Sequence, residues 1–286
     1  MSAAADEAVA LPPGRHVDLP GRGRTYIREI QGPRRAPTVV LLHGLGADAD
    51  LNWVPTYETL GRDYHVIAID HRGHGRGIRT RRPFRLADCA DDVAALCVEL
   101  GIDRVIPVGY SMGGPITQLL WHRHHDLVRG MVLCATASRF GQGTARRLSY
   151  AMAPPIAAVA RISPRALPAN PIVRQLVASR LNDPALRRWV AERQRRTDPL
   201  AIIQAAGSLA RYSSASWLGG VDVPAAVVLT QFDRLVPRAR QEAMAAAIPG
   251  ATVHRVLGDH AVCVTRPDLF LPALLEALAS VIKRSS

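Results

Sequence analysis

The sequence predicts an α/β fold: a mostly parallel central sheet flanked by helices, with a helical segment inserted between two of its later strands. Three observations predict it. Short runs of Val, Ile and Leu alternate with stretches of helical spacing, the pattern in which helical crossovers join parallel strands. The run 105–108 passes directly into Gly109-Tyr110-Ser111-Met112-Gly113-Gly114 and then into an apolar helical stretch, which puts a serine at a strand–turn–helix corner. The alternation stops from about 138 to 220 and then resumes. A connection of that length is not an ordinary crossover.

The elements follow in order. Residues 15–19 and 25–30 read as an opening strand pair. Residues 38–42 are a β-branched and leucine run, short enough for a buried strand, and 66–69 are another that ends at Asp70. Residues 86–100 show helical spacing, with Leu86, Val93, Leu96 and Leu100 on one stripe and Gly101 as a stop. The strand at 105–108, a helix over 115–121 and a strand at 131–134 come next. The inserted segment carries helical patterns at 144–162, 171–181, 184–196 and 199–212 and no clear strand. A strand at 225–229, a helix at 238–247, a strand at 252–257 and a closing helix at 267–283 complete the chain. The expected organisation is a core of 15–137 and 221–286 with a helical cap at 138–220.

The chain has 286 residues and 48% apolar residues, enough to bury one large core. No apolar stretch reaches the roughly 18–20 residues that span a bilayer. The nearest, 150–160, is short and holds Pro154 and Pro155. The start, Met1-Ser2-Ala3-Ala4-Ala5-Asp6-Glu7, has no hydrophobic signal core, so a cytoplasmic location is the default expectation. Cys89, Cys97, Cys134 and Cys263 form no C-x-x-C pair and are expected to be reduced core thiols. The net charge is +12, and Lys283 is the only lysine. Arginines cluster at 79–85 and 187–196. A solvated arginine-rich surface is the plain reading, with weak attraction to anionic membrane surfaces as the functional one. No nucleic-acid-binding motif accompanies the charge, so nucleic acid is not expected as a partner.

The chemistry centres on the serine. A strand that turns at once into a helix leaves the corner residue strained, with its side chain above the sheet and the next N–H facing the same space. A serine hydroxyl needs a base to take its proton and a carboxylate to orient that base. Two late strands each run into a candidate: 226–229 leads to Thr230-Gln231-Phe232-Asp233, and 253–257 leads to Gly258-Asp259-His260. Parallel strands bring their C-terminal ends to one sheet edge, where Ser111, Asp233 and His260 can meet.

These residues carry a resemblance. His43-Gly44-Leu45-Gly46, Asp70-His71-Arg72-Gly73-His74-Gly75, Gly109–Gly114, Asp233-Arg234-Leu235-Val236-Pro237 and Gly258-Asp259-His260 occur in the order and spacing of the α/β-hydrolase superfamily. The chain resembles its cap-bearing serine hydrolase branch over roughly 15–283. The resemblance implies Ser111 as nucleophile, His260 as general base and Asp233 as orienting acid. It also implies an oxyanion hole from the backbone N–H groups of Leu45 and Met112, and no metal or organic cofactor. Serine at the elbow excludes the dehalogenase and epoxide-hydrolase branches, which use aspartate there.

Other residues have plainer readings. Asp70 ends a strand before the serine and is expected to be structural, Asp259 to be a turn residue, and His43, His71 and His74 to hydrogen-bond in loops. His122, His124 and His125 lie near the end of the elbow helix and lack a carboxylate or cysteine set, so no metal site is expected. Trp53 either lines the acyl pocket or packs the first helix; Tyr110 is a second pocket candidate. The expected activity is hydrolysis of a carboxylic ester with a hydrophobic or lipid-like acyl group through an acyl-enzyme. The alternatives are C–C bond, lactone or cofactor-free perhydrolase chemistry on the same residues. A non-catalytic receptor or scaffold would be marked by a broken triad, and here all three positions are filled. Oligomeric state is left open.

Overall fold

The computed structural model describes residues 11–140 and 184–285. Eight strands form one sheet in the order β1-β2-β4-β3-β5-β6-β7-β8. They are β1 Gly14–Leu19, β2 Gly23–Ile30, β3 Thr38–Leu42, β4 His65–Ile69, β5 Ile106–Tyr110, β6 Met131–Cys134, β7 Ala225–Thr230 and β8 Thr252–Val256. β2 pairs antiparallel with both β1 and β4. Every other pairing is parallel.

The central strands are apolar but for Thr38, His65 and Thr230 at their ends, because both faces of the sheet are covered. Successive side chains point to opposite faces. Val40, Leu42, Ile67, Ile69, Leu133, Val227 and Leu229 belong to one buried cluster, and Val39, Leu41, Val66, Ala68, Val132, Ala226 and Val228 to the other. The first cluster is capped by helices α3 Leu86–Glu99, α4 Gly113–Arg123 and α7 Arg238–Ala247. The second lies under α1 Ala49–Trp53, α2 Tyr57–Gly61, α8 Val262–Thr265 and α9 Pro267–Arg284. Between β6 and β7 the described residues include α5 Pro184–Arg195 and α6 Pro199–Arg211, near the expected helices at 184–196 and 199–212. The helical patterns expected at 144–162 and 171–181 lie outside the described residues.

The strand order reverses between β3 and β5, and ligands of open α/β sheets bind outside the strand ends at such a point. Leu42 and Gly109 are register partners there, so the loop after β3 and the turn after β5 lie side by side. The opening pair, the sheet and the closing helix occupy the stretches expected of them, with ends moved by one or two residues. Among the described residues no helix is long and apolar enough to cross a membrane.

Candidate active site

Ser111 has φ of +52°, a left-handed conformation that a side-chain-bearing residue adopts at a cost. Its surroundings enforce it. The Ser111 N–H donates to Cys134 O at 2.9 Å, and the Ser111 carbonyl accepts from Thr136 Oγ1 at 2.7 Å and from the Gly114 N–H at 3.0 Å. Strand and helix cross so closely that a Cβ on Gly109 would lie 2.3 Å from Gly113 O, and one on Gly113 would lie 2.1 Å from Leu42 O. Only glycine fits at either position. Helix α4 starts just beyond the serine, so its positive end faces the hydroxyl.

His260 follows β8 and Asp233 follows β7. The two loops are tied by Gln231 N–H to Val256 O and by Phe232 N–H to Gly258 O, both at 3.0 Å. His260 Nδ1 lies 2.7 Å from Asp233 Oδ2, and His260 Nε2 lies 2.9 Å from Ser111 Oγ. The Asp233 side chain is fully buried, and all its hydrogen bonds hold it as an acceptor. Oδ1 accepts the N–H groups of Leu235 and Val236, each at 2.8 Å, and Oδ2 accepts Thr230 Oγ1–H at 2.9 Å. Since Asp233 is an acceptor, Nδ1 of neutral His260 carries the ring proton, and Nε2 is left to accept from Ser111. The three residues implied by the resemblance are thus brought into one hydrogen-bonded chain.

The two expected oxyanion donors flank this chain. Among the described residues, neither the Leu45 N–H nor the Met112 N–H donates a hydrogen bond within the protein. A Cβ on Gly44 would lie 3.4 Å from Ser111 Cβ, so the loop after β3 touches the serine. The loop is fixed from both sides. Gly44 N–H donates to Asn52 Oδ1 at 2.9 Å, and Gly44 O accepts from His43 Nδ1 at 2.8 Å. Nε2 of His43 accepts the His71 N–H at 3.0 Å, which places the ring proton on Nδ1. Burial pushes His43 down to about 4, so it stays neutral. Gly44 O and Leu45 N–H belong to one planar peptide and point in opposite directions. Holding the carbonyl on His43 therefore aims the N–H away from that ring.

A cavity of about 90 Å³ opens at Ser111. Gly44, Leu45, Ala47, Leu51, Asn52, Tyr110, Val190, His260, Ala261, Cys263 and Val264 line it, and none of these described side chains is charged apart from the titratable imidazole. Tyr110 is therefore at the cavity as expected. It also donates its hydroxyl to His260 O at 2.9 Å, a support for the imidazole loop that sequence reasoning did not find. Trp53 is a correction to the pocket expectation. It is completely buried and packs edge-on against Tyr110, with ring centroids 6.0 Å apart, so the second alternative, packing, holds.

A family model described as the alpha/beta hydrolase fold matches residues 37–267. The chain belongs to the α/β-hydrolase family. This α/β-hydrolase is 29% identical over 249 residues to an Agrobacterium fabrum protein provisionally named carbamate hydrolase RutD, covering 85% of this chain and 93% of that one. It is 26% identical over 278 residues to a poly(3-hydroxyalkanoate) depolymerase of Ectopseudomonas oleovorans, covering 95% and 94%. Among solved structures, the enol-lactonase from Burkholderia xenovorans LB400 superposes with a TM-score of 0.77 at 25% identity, covering 93% of this chain and 100% of that one.

The remaining polar residues of this α/β-hydrolase are held in structural contacts. Asp70 accepts the N–H groups of Ala49 and Arg76 at 2.9 and 2.8 Å. Asp259 Oδ1 accepts the Ala261 N–H at 3.0 Å, closing a turn beside His260. His74 Nδ1 lies 3.1 Å from Arg72 O, but the hydrogen bonding expected of the His71 ring is not found: both its nitrogens are buried without a partner among the described residues, and the ring packs on His43 with centroids 4.4 Å apart. Burial keeps both rings neutral, His74 pushed down to about 3. His124 and His125 pair with Asp91 and Asp222 at 2.8 and 2.9 Å, while His122 stacks on Trp217 with centroids 4.3 Å apart. Among the described residues no group of three or more His, Cys, Asp or Glu is placed to hold a metal ion. All four cysteines are free and buried, and burial pushes Cys97 and Cys263 up to about 12, which favours the thiol over the thiolate.

Proposed function

We propose that the protein is a serine hydrolase that cleaves a carboxylic ester with a hydrophobic acyl group. One observation carries the reading: the unbroken chain Asp233–His260–Ser111 beside two unengaged N–H donors in an apolar cavity. Ser111 Oγ attacks the ester carbonyl as His260 Nε2 takes its proton. Asp233 keeps the imidazole oriented and stabilises the imidazolium. The N–H groups of Leu45 and Met112 receive the negative oxygen of the tetrahedral intermediate. Its collapse breaks the C–O bond, and the imidazolium returns the proton to the leaving alcohol. Water then attacks the acyl-enzyme with the same imidazole as base, releasing the acid and restoring Ser111.

Two relatives support an ester. Poly(3-hydroxyalkanoate) and enol-lactones, for which those two proteins are named, both carry ester linkages. The absence of charge from the described lining, His260 apart, supports a neutral acyl group. In this reading the segment between β6 and β7 acts as the cap, and Val190 of helix α5 forms its described part of the cavity wall. Hydrolysis of a series of nitrophenyl esters of increasing acyl length tests the proposal. Turnover with a defined length optimum is the expected result; no turnover at any length would refute it.

A further inference from the structure

Among the described residues, helix α5 reaches the cavity through Val190. One turn further along the same face, Arg193 enters the protein. Its side chain is 1% exposed. Nη1 bonds Asp50 Oδ2 and stands 3.5 Å from Asp48 Oδ2. The guanidinium lies over the Trp189 ring, 4.9 Å from its centroid. Trp189 and Val190 pack on Leu51. A single face of α5 (Trp189, Val190 and Arg193) is therefore docked on Asp48 and on Asp50 and Leu51 of α1. The next residue of α1, Asn52, holds the Gly44 N–H of the loop beside Ser111.

Neutralising Asp50 does not require Arg193. Asp50 also receives Arg28 through two nitrogens at 3.0 and 2.9 Å, Arg76 at 2.8 Å and the Tyr57 hydroxyl at 3.2 Å. Taking a guanidinium out of water is expensive, and a buried pair often adds little net stability. What a buried pair supplies is directional contact at one position, here the junction of two segments far apart in sequence. The link that follows α5 is pinned as well: Asp198 N–H donates to Gly73 O at 2.9 Å and Gly75 N–H to Thr197 Oγ1 at 3.3 Å.

We propose that Arg193 is a positioning residue that sets acyl-chain selectivity: by locking α5 onto Asp48 and Asp50, it holds Val190 as a fixed wall of the cavity at Ser111. The inference rests on Ser111 being the nucleophile, because that makes the cavity the acyl site. Val190 limits the space beside the carbonyl, and the clamp decides how far the wall can yield. Loss of the clamp leaves the Asp233–His260–Ser111 chain intact and relaxes the discrimination against longer chains.

Nitrophenyl alkylphosphonates from methyl to octyl provide the test, since Ser111 Oγ displaces nitrophenolate at phosphorus without any ester turnover. Inactivation rate constants would be measured for the parent, Arg193→Met, Arg193→Lys, Val190→Ala and the Arg193→Met/Val190→Ala double variant. Arg193→Met is expected to lower the short-to-long rate ratio by about fivefold or more while the methyl probe stays within about threefold of the parent. Val190→Ala should shift the ratio the same way. The double variant should shift it no further than the larger single, because both act on one wall. Arg193→Lys, which keeps the charge but not the planar fork, should fall between parent and Arg193→Met. A folded Arg193→Met or Arg193→Lys with the parent's ratio would overturn the proposal, as would full additivity in the double variant. If Arg193→Met does not accumulate, Arg193→Lys and Val190→Ala decide it. Failure of the parent to react with even the methyl probe would instead overturn the nucleophile assignment, and this inference with it.

Discussion

Replacing Asp233 with Asn changes one atom in the site and should switch off the base. Oδ1 of Asp233 accepts two backbone N–H groups at 2.8 Å, while Oδ2 faces His260 Nδ1 at 2.7 Å and Thr230 Oγ1 at 2.9 Å. An asparagine amide must choose which end to place where. Turning its NH₂ toward Leu235 and Val236 would set it against two donors, and a buried unsatisfied group costs about 1–3 kcal/mol each. Turning it toward His260 opposes one imidazole, which can change tautomer, and the Thr230 hydroxyl, which can rotate to accept instead of donate. The NH₂ therefore faces His260, Nδ1 becomes the acceptor and the ring proton moves to Nε2. That nitrogen then points a hydrogen at Ser111 Oγ and cannot take its proton. The fall in kcat expected for this inversion is about 10⁴-fold, or about 5 kcal/mol of barrier. Steady-state hydrolysis of a short nitrophenyl ester measures it, with thermal unfolding as the control for a side chain of unchanged shape. A folded variant retaining more than about a tenth of the parent's kcat would refute the tautomer argument.

Four further outcomes are expected. Ser111→Ala and His260→Ala should each lower kcat by about 10⁵–10⁶, and the double variant should lose little more, because the pair acts as one unit; multiplicative losses would contradict that. Gly113→Ala should cost about 3 kcal/mol in urea unfolding, since its methyl would sit 2.1 Å from Leu42 O; a loss below about 1 kcal/mol would show that the crossing is looser than described. Burial beside Asp70 and Asp50 pushes Asp48 up to about 7. The folded protein thus holds a proton that the unfolded chain releases near pH 4, and stability falls as pH rises from about 4 to 7. Asp48→Asn can still cap α1 and has no such proton, so its Tm relative to the parent should rise across that window and level off above pH 7; a flat difference would remove the assignment. Arg81 and Arg82 are exposed and have no carboxylate partner among the described residues, so anionic vesicles should retain the protein at low salt and release it at high salt, and lack of retention at low salt would end the membrane reading.

The sequence made the middle of the sheet legible because β3 to β7 are buried on both faces and stand out as largely apolar runs, whereas β1 and β8 mix buried and exposed residues. The longer helices were legible through their stripes. Helices α1, α2 and α8 have five, five and four residues, too few turns for periodicity to register. Gly109 interrupts the apolar run, so the strand expected to stop at 108 continues to Tyr110. The helix expected over 115–121 begins at Gly113 and has Pro115 in its first turn, where no N–H is needed. At the site, Ser111, Asp233 and His260 could be read because each sits at a strand end in a recognisable motif. Asn52, the Tyr110 hydroxyl and Arg193 could not. Their roles depend on contacts across 8, 150 and more than 140 residues, which no local pattern encodes. Trp53 carried the opposite problem: a large aromatic near the motif suits a pocket or a core equally well, and only its burial decides.

The proposed chemistry requires Ser111 to be an alcohol made reactive by His260. Peptide mapping after treatment with a fluorophosphonate tests that most directly. A single adduct on the peptide containing Ser111, absent from Ser111→Ala and formed far more slowly in His260→Ala, is the result expected. An unmodified Ser111 in the folded parent, or equal labelling with and without His260, would contradict it.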